Sequence, residues 1–209
     1  MSNPPRAAGR PHDPVALLKP LLEERERTLG ADHPDTLASR GNLANAYQAS
    51  GRLPEAIALY EGLAADRERV NGAEHPHTLR TRYSLAVAYL AGRRAQEAIA
   101  LLEPLVADLE RIQGAEHPNV LRTRNNLAIV YLDAGRAQDA IALLEPLLAD
   151  FDRILGAEHP DTVGARKNLA NALEAVGRGS EAERARERAA QESAWGEDVG
   201  PGGDNTFIV

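Results

Sequence analysis

The sequence predicts an all-α fold built as a solenoid of antiparallel helix pairs, and three observations predict it. The first is a repeat. "GADHPDTL" at Gly30 to Leu37 returns as "GAEHPHTL", "GAEHPNVL" and "GAEHPDTV", which sets His33, His75, His117 and His159 at a constant step of 42 residues. A period of that size marks a stacked array. The second is composition: 43% of the 209 residues are hydrophobic, enough for a sizeable core, yet only 4% are aromatic, a balance that favours helix over sheet. The third is punctuation. Pro34, Pro76, Pro118 and Pro160 stand where the first residue of a helix tolerates a missing N–H.

The elements follow in order from this frame. "PVALLKPLLEERERTLG" aligns only with the second half of a unit, so the array opens on a lone helix over 14–29. Within a full unit Leu43, Ala44 and Tyr47 fall at helical spacing, as do Ala56, Leu59, Tyr60 and Leu63, so each unit is two amphipathic helices. Helices are therefore predicted over 34–49, 53–70, 76–91, 95–112, 118–133, 137–154, 160–175 and 179–193, nine in all. Gly51, Gly135 and Gly177 suit a left-handed residue just past a first helix, and Gly30, Gly72, Gly114 and Gly156 the same role after a second. In the second unit the glycine moves to Gly92 with Arg93 in the aligned slot, which predicts a corner that turns one residue early. In the last helix Ile57, Ile99 and Ile141 become Glu183, and Tyr60, Leu102 and Leu144 become Arg186. Such polar substitution is what a terminal cap requires. The expected organisation is a disordered segment over 1–13, the repeats over 14–193, and a flexible Gly-rich tail over 194–209.

At Ala44, Tyr47, Ala56, Tyr60 and their counterparts the unit resembles a tetratricopeptide repeat, and its length resembles the repeats of kinesin light chains and their bacterial relatives. The resemblance covers roughly residues 14–193. Common repeats of this type are ~34 residues long, and the extra length is expected mainly in the second helix. The resemblance implies a right-handed superhelix whose first helices line a concave groove that holds a peptide or partner protein, and it implies no catalysis by the repeats.

The strict recurrence of the histidines argues for structure. Zinc ligands lie ~2 Å from one ion, whereas helices pack ~8–10 Å apart and two helices separate equivalent positions, so neighbouring copies cannot share a metal. Four copies of one active site are equally implausible. "A-[DE]-H-P" instead looks like a helix-start device in which Asp32 or His33 offers an acceptor to the first free N–H groups. His12 and His77 fall outside the pattern and are expected on the surface.

The family's groove slots carry over to Ala38, Gly41, Asn45 and Gln48, then Arg80, Tyr83, Val87 and Leu90, then Arg122, Asn125, Ile129 and Leu132, and finally Gly164, Lys167, Asn171 and Glu174. These slots vary between units where the core does not, as specificity requires. Cations at Arg80, Arg122 and Lys167, amides at Asn45, Gln48, Asn125 and Asn171, and an apolar strip suit an extended acidic or C-terminal peptide. A second ladder, Arg40, Arg82, Arg124 and Arg166, is invariant and is expected to pair with Glu61, Glu103 and Glu145. Asn42, Asn126 and Asn168, with Ser84 as the exception, either bind a ligand's backbone or satisfy the solenoid's own carbonyls.

The net charge of −7 argues against nucleic-acid and membrane partners. No cysteine is present, which removes thiol catalysis and thiolate metal sites. No G-x-x-x-x-G-K-[ST], H-E-x-x-H or G-x-S-x-G occurs, and no cofactor is implied. The start "MSNPPRAAGRPHDP" lacks the apolar stretch of a secretory signal, so a cytoplasmic location is expected. The function read here is a non-enzymatic scaffold that binds a peptide or protein segment in its groove. The alternative is a regulatory or sensor array that self-assembles or controls an effector ATPase or transcription regulator. "NTFIV", three apolar residues and a carboxylate after the glycines, offers self-association by docking in the groove of its own or a neighbouring molecule.

Overall fold

The structure is a computed structural model that describes residues 13–196, with side chains to 191. Residues 1–12 and 197–209, where the sequence placed most of its leading segment and its tail, lie outside the described residues, as does His12. Two compact units divide the chain at Ala73 and Glu74. In the first, α1 (Pro14–Leu29) packs on α2 (Pro34–Ala49), and α2 on α3 (Leu53–Asn71). The second holds α4 (Pro76–Ala91), α5 (Ala95–Gln113), α6 (Pro118–Asp133), α7 (Ala137–Ile154), α8 (Pro160–Ala175) and α9 (Gly179–Gly196), each packed on the next. There α4 also touches α6, and α6 touches α8. Within this second unit, first helices of successive repeats thus lie side by side. The described residues contain nine helices, and none is long and apolar enough to cross a membrane.

Small residues let the helices of a pair approach. Ala44 and Ala56, Ala86 and Ala98, Ala128 and Ala140, and Ala170 and Ala182 are all fully buried. Around them Leu121, Ile141, Leu144, Leu147, Phe151, Leu169 and Leu173 form a contiguous core in the second unit, each such side chain contributing about 1.5–3 kcal/mol of burial. The second helices α3 and α5 are 19 residues long and α7 is 18, against 16 for each first helix α2, α4, α6 and α8, in line with the expected site of the extra length.

The helix starts are capped by histidine. In each first helix the imidazole Nδ1 accepts a backbone N–H two residues on: His33 from Asp35 at 3.1 Å, His75 from His77 at 3.1 Å, His117 from Asn119 at 3.1 Å and His159 from Asp161 at 3.2 Å. Nδ1 of each of the four rings is thus spent on the backbone. The preceding acid does a different job: Asp32, Glu74 and Glu116 take Arg69, Arg111 and Arg153 from the end of the second helix. Asp13, placed by sequence in the leading segment, is the cap of α1, accepting from Val15 N at 3.0 Å.

Two expectations at the corners are corrected. Arg93 itself takes the left-handed conformation at φ 58°, while Gly92 keeps φ −81°, so the corner does not turn early. Arg94 N reaches Tyr89 O at 2.8 Å, as Arg52 N reaches Tyr47 O and Arg136 N reaches Tyr131 O. The register of the following helix therefore wins over the preference for glycine. After the second helices, Gly30, Gly72 and Gly114 pair φ near 90° with ψ 162°, 161° and 151°. That region is extended and essentially restricted to glycine, not the left-handed helical region.

Candidate functional site

The sequence-predicted slots fall on the first helices. In the first unit α2 presents Ala38 and Asn45 exposed and Gly41 and Gln48 half-buried, and the Asn45 amide oxygen accepts the Tyr60 hydroxyl of α3. In the second unit α4, α6 and α8 bring the remaining slots together because these helices are neighbours. Val87, Leu90, Ile129 and Leu132 are half-buried and Lys167 and Asn171 exposed, so an apolar strip runs beside a cation and an amide. Leu132 also packs against the core.

The seams of this face are polar. Asn126 Nδ2 donates to Tyr83 Oη at 2.8 Å, Asn168 Nδ2 donates to Asn125 Oδ1 at 3.2 Å, and Arg122 Nε lies 3.9 Å from Asp161 Oδ2. Tyr83 is 5% exposed, and burial raises its phenol above the ordinary value while the Asn126 hydrogen bond works against that. Sequence placed Tyr83 in an open slot; the structure gives it to the joint between two first helices. Asn126 and Asn168 likewise bridge side chains of the preceding first helix, neither of the two roles expected of them. Arg80 Nη2 lies 3.3 Å from His77 Nδ1, whose ring sits 5.2 Å from that of His75. Glu174 is held by Arg186 of α9, which takes its carboxylate out of the open face.

The invariant arginines pair, but with other acids than expected. Arg40 joins Glu26 of α1 at 3.0 Å and Asp66 of α3 at 2.5 Å. Arg82 meets Asp108 at 3.6 Å, Arg124 meets Glu110 at 2.9 Å and Asp150 at 3.9 Å, and Arg166 meets Asp152 at 2.7 Å. The long second helix carries these acids nearer its C-terminal end than Glu61, Glu103 and Glu145. Glu103 instead accepts Tyr131 Oη at 2.8 Å, and Glu145 faces Arg178 at 3.7 Å. Burial, then the Glu103 carboxylate, pushes the Tyr131 phenol up to about 12.

Sequence reading missed one recurring device. Arg52, Arg94 and Arg136 stack over Tyr47, Tyr89 and Tyr131 at 4.5, 4.4 and 4.3 Å from the ring centres, and bond Glu55, Glu97 and Asp139. The signal was present as fixed offsets of five and three residues. Arg178 keeps the acidic partner at Glu181, but Leu173 stands in the tyrosine column.

Comparison with known proteins agrees with the fold. The tetratricopeptide repeat model matches residues 6–61, 41–104, 93–149 and 123–191. A crystal structure of a single-site variant of the kinesin light chain-like, nearly identical TPR-like repeats from Podosopora anserina is similar at 35% identity and TM-score 0.79, over 88% of this chain and 87% of that one. A second crystal structure of those repeats gives 36% and 0.77 over the same shares. Bacillus thuringiensis PlcR, in complex with the peptide PapR7 and DNA, shares the fold at 16% identity and TM-score 0.62, over 90% of this chain and 70% of that one. No curated protein sequence matches the chain.

Proposed function

The chain belongs to the tetratricopeptide repeat family, in its kinesin light chain-like form, and we propose that the α4, α6 and α8 face of this scaffold holds an extended, acidic peptide or protein segment. The half-buried strip of Val87, Leu90, Ile129 and Leu132 beside Arg80, Arg122 and Lys167 is the observation that carries this reading. Apolar side chains of the partner would cover the strip, and carboxylates would meet the cations through charge-assisted bonds. Asn171 offers a donor and an acceptor to a peptide backbone. Tyr83 and Asn125 support the floor from the seams and are not assigned to the partner. PlcR, crystallised with a peptide, has the same fold and supports the reading. The repeats are given no catalytic role.

Selection from a random peptide library tests it. The wild-type chain is expected to enrich sequences that alternate acidic and apolar residues. Arg80→Glu with Arg122→Glu, its helix content checked by circular dichroism, is expected to lose that enrichment. Identical enrichment by the two proteins, or none by the wild type, overturns the proposal.

A further inference from the structure

The last repeat contains a cleft. It lies between α7, α8 and α9, measures about 340 Å³, and has an apolar lining centred on Leu169 and Leu173, with Arg184 and Arg188 on its α9 side and with Glu145 and Glu181, both held by Arg178, also at its wall. Its origin is legible in the columns of the repeat. Leu173 replaces Tyr47, Tyr89 and Tyr131; Ala185 replaces Leu59, Leu101 and Leu143; and Arg188 stands where Pro104 and Pro146 stand in α5 and α7. In the third repeat the Tyr131 ring lies under Arg136 and reaches Glu103 of α5. The fourth repeat keeps the arginine and the acid, as Arg178 and Glu145, but has no ring between them. Loss of that ring and of a leucine side chain leaves apolar surface facing the cleft, which an apolar side chain seated there would take out of water. Arg184 and Arg188 are exposed and form no hydrogen bond or ion pair among the described residues, Arg184 acting on Glu181 only through its field.

We propose that this cleft receives the chain's own residues 197–209, with Phe207 and Ile208 on the leucines and the acids of the segment against Arg184 and Arg188. Three features of the segment fit. "EDVGPGGDNTFIV" carries Glu197, Asp198 and Asp204 and no basic residue, the complement of an arginine edge. Apart from Val199, its large apolar residues are gathered at 207–209. Its reach suffices: from Arg188 to Gly196 the helix advances about 12 Å at 1.5 Å per residue, and the eleven residues from Gly196 to Phe207 span up to roughly 36 Å when extended. Gly200, Pro201, Gly202 and Gly203 supply the reversal that the return requires. Tethering makes the contact intramolecular, so a small cleft can hold the segment without a large interface. The α4, α6 and α8 face stays open in this arrangement, and docking of the tail and of a partner are independent.

Hydrogen exchange of the full chain, read by mass spectrometry, tests the proposal. Amides of residues 205–209 are expected to exchange about tenfold or more slowly than an unstructured chain of that sequence. Ala185→Leu, which returns the leucine of the other repeats and fills the cleft, is expected to restore free exchange, as are Arg184→Glu with Arg188→Glu and, in the segment itself, Phe207→Ser. Phe207→Ser leaves the repeats untouched, so it decides the matter even if a cleft variant misfolds. Free exchange in the wild type overturns the proposal, and so does protection that survives Ala185→Leu in a folded protein. Protection that disappears on dilution overturns it in favour of a second copy's tail.

Discussion

Arg93 occupies a backbone state that Gly51, Gly135 and Gly177 occupy in the other three corners, at φ 58° against 72°, 74° and 79°. A side chain in that region costs roughly 1–2 kcal/mol. Its ion pair with Asp133 at 3.1 Å involves an arginine side chain that is 85% exposed, and such surface pairs return about 0–1 kcal/mol. Glycine gives back part of the gain by loosening the unfolded chain. Arg93→Gly is therefore expected to raise stability by about 0.5–1 kcal/mol, read as a higher urea midpoint at unchanged slope. Gly135→Arg should lower the midpoint of the third corner. A fall for Arg93→Gly would show that the Asp133 pair, not the backbone, dominates this position. The histidines show the same economy at residue scale: four identical rings cap four helices through Nδ1, so their recurrence records a backbone need.

At the scale of an element, the start of each second helix is held by an arginine and an acid one turn apart. Hydrogen bonds from Arg52, Arg94 and Arg178 hold the Glu55, Glu97 and Glu181 carboxyls below the ordinary glutamate value of 4.5. Because these values are lowered in the folded state, the contribution is fully present above the ordinary value and is lost as pH falls through the lowered one. The midpoint of thermal unfolding is thus expected to drop on acidification below about pH 4.5, and Glu55→Gln, Glu97→Gln and Glu181→Gln together should flatten that drop while lowering the midpoint at neutral pH. An unchanged slope would assign acid sensitivity to other carboxylates. Helix positions, proline starts and the polar face of α9 were legible in the sequence because they follow from period and local backbone chemistry. The partners of the invariant arginines were not, because two acidic columns on one second helix differ only in how far along the helix they lie. Tyr83 was misplaced for a related reason: spacing gives a residue's face, but only the neighbouring helix decides whether that face is open or is a seam.

For the molecule as a whole, stability in a repeat array is a sum of terms within repeats and terms between them, and Arg124 enters both. It reaches Asp150 within its own repeat and Glu110 of the repeat before, and its side chain is 19% exposed. Removing the guanidinium takes a cation from two partly shielded carboxylates, of which Asp150 keeps Arg153 and Glu110 loses its partner, a loss of about 1–3 kcal/mol once solvent screening of the partly exposed acids is allowed for. Part of that loss falls on the interface between repeats. Arg124→Gln is therefore expected to lower the urea midpoint and also to broaden the transition, as coupling between the flanking repeats weakens. Arg93→Gly, which acts inside one corner, moves the midpoint alone. Adding Glu110→Gln to Arg124→Gln should recover part of the width, since it removes the stranded charge at the interface, whereas Asp150→Asn should recover midpoint more than width. A transition that keeps its slope in Arg124→Gln would mean that the arginine ladder serves each repeat singly and that apolar contact alone carries the coupling.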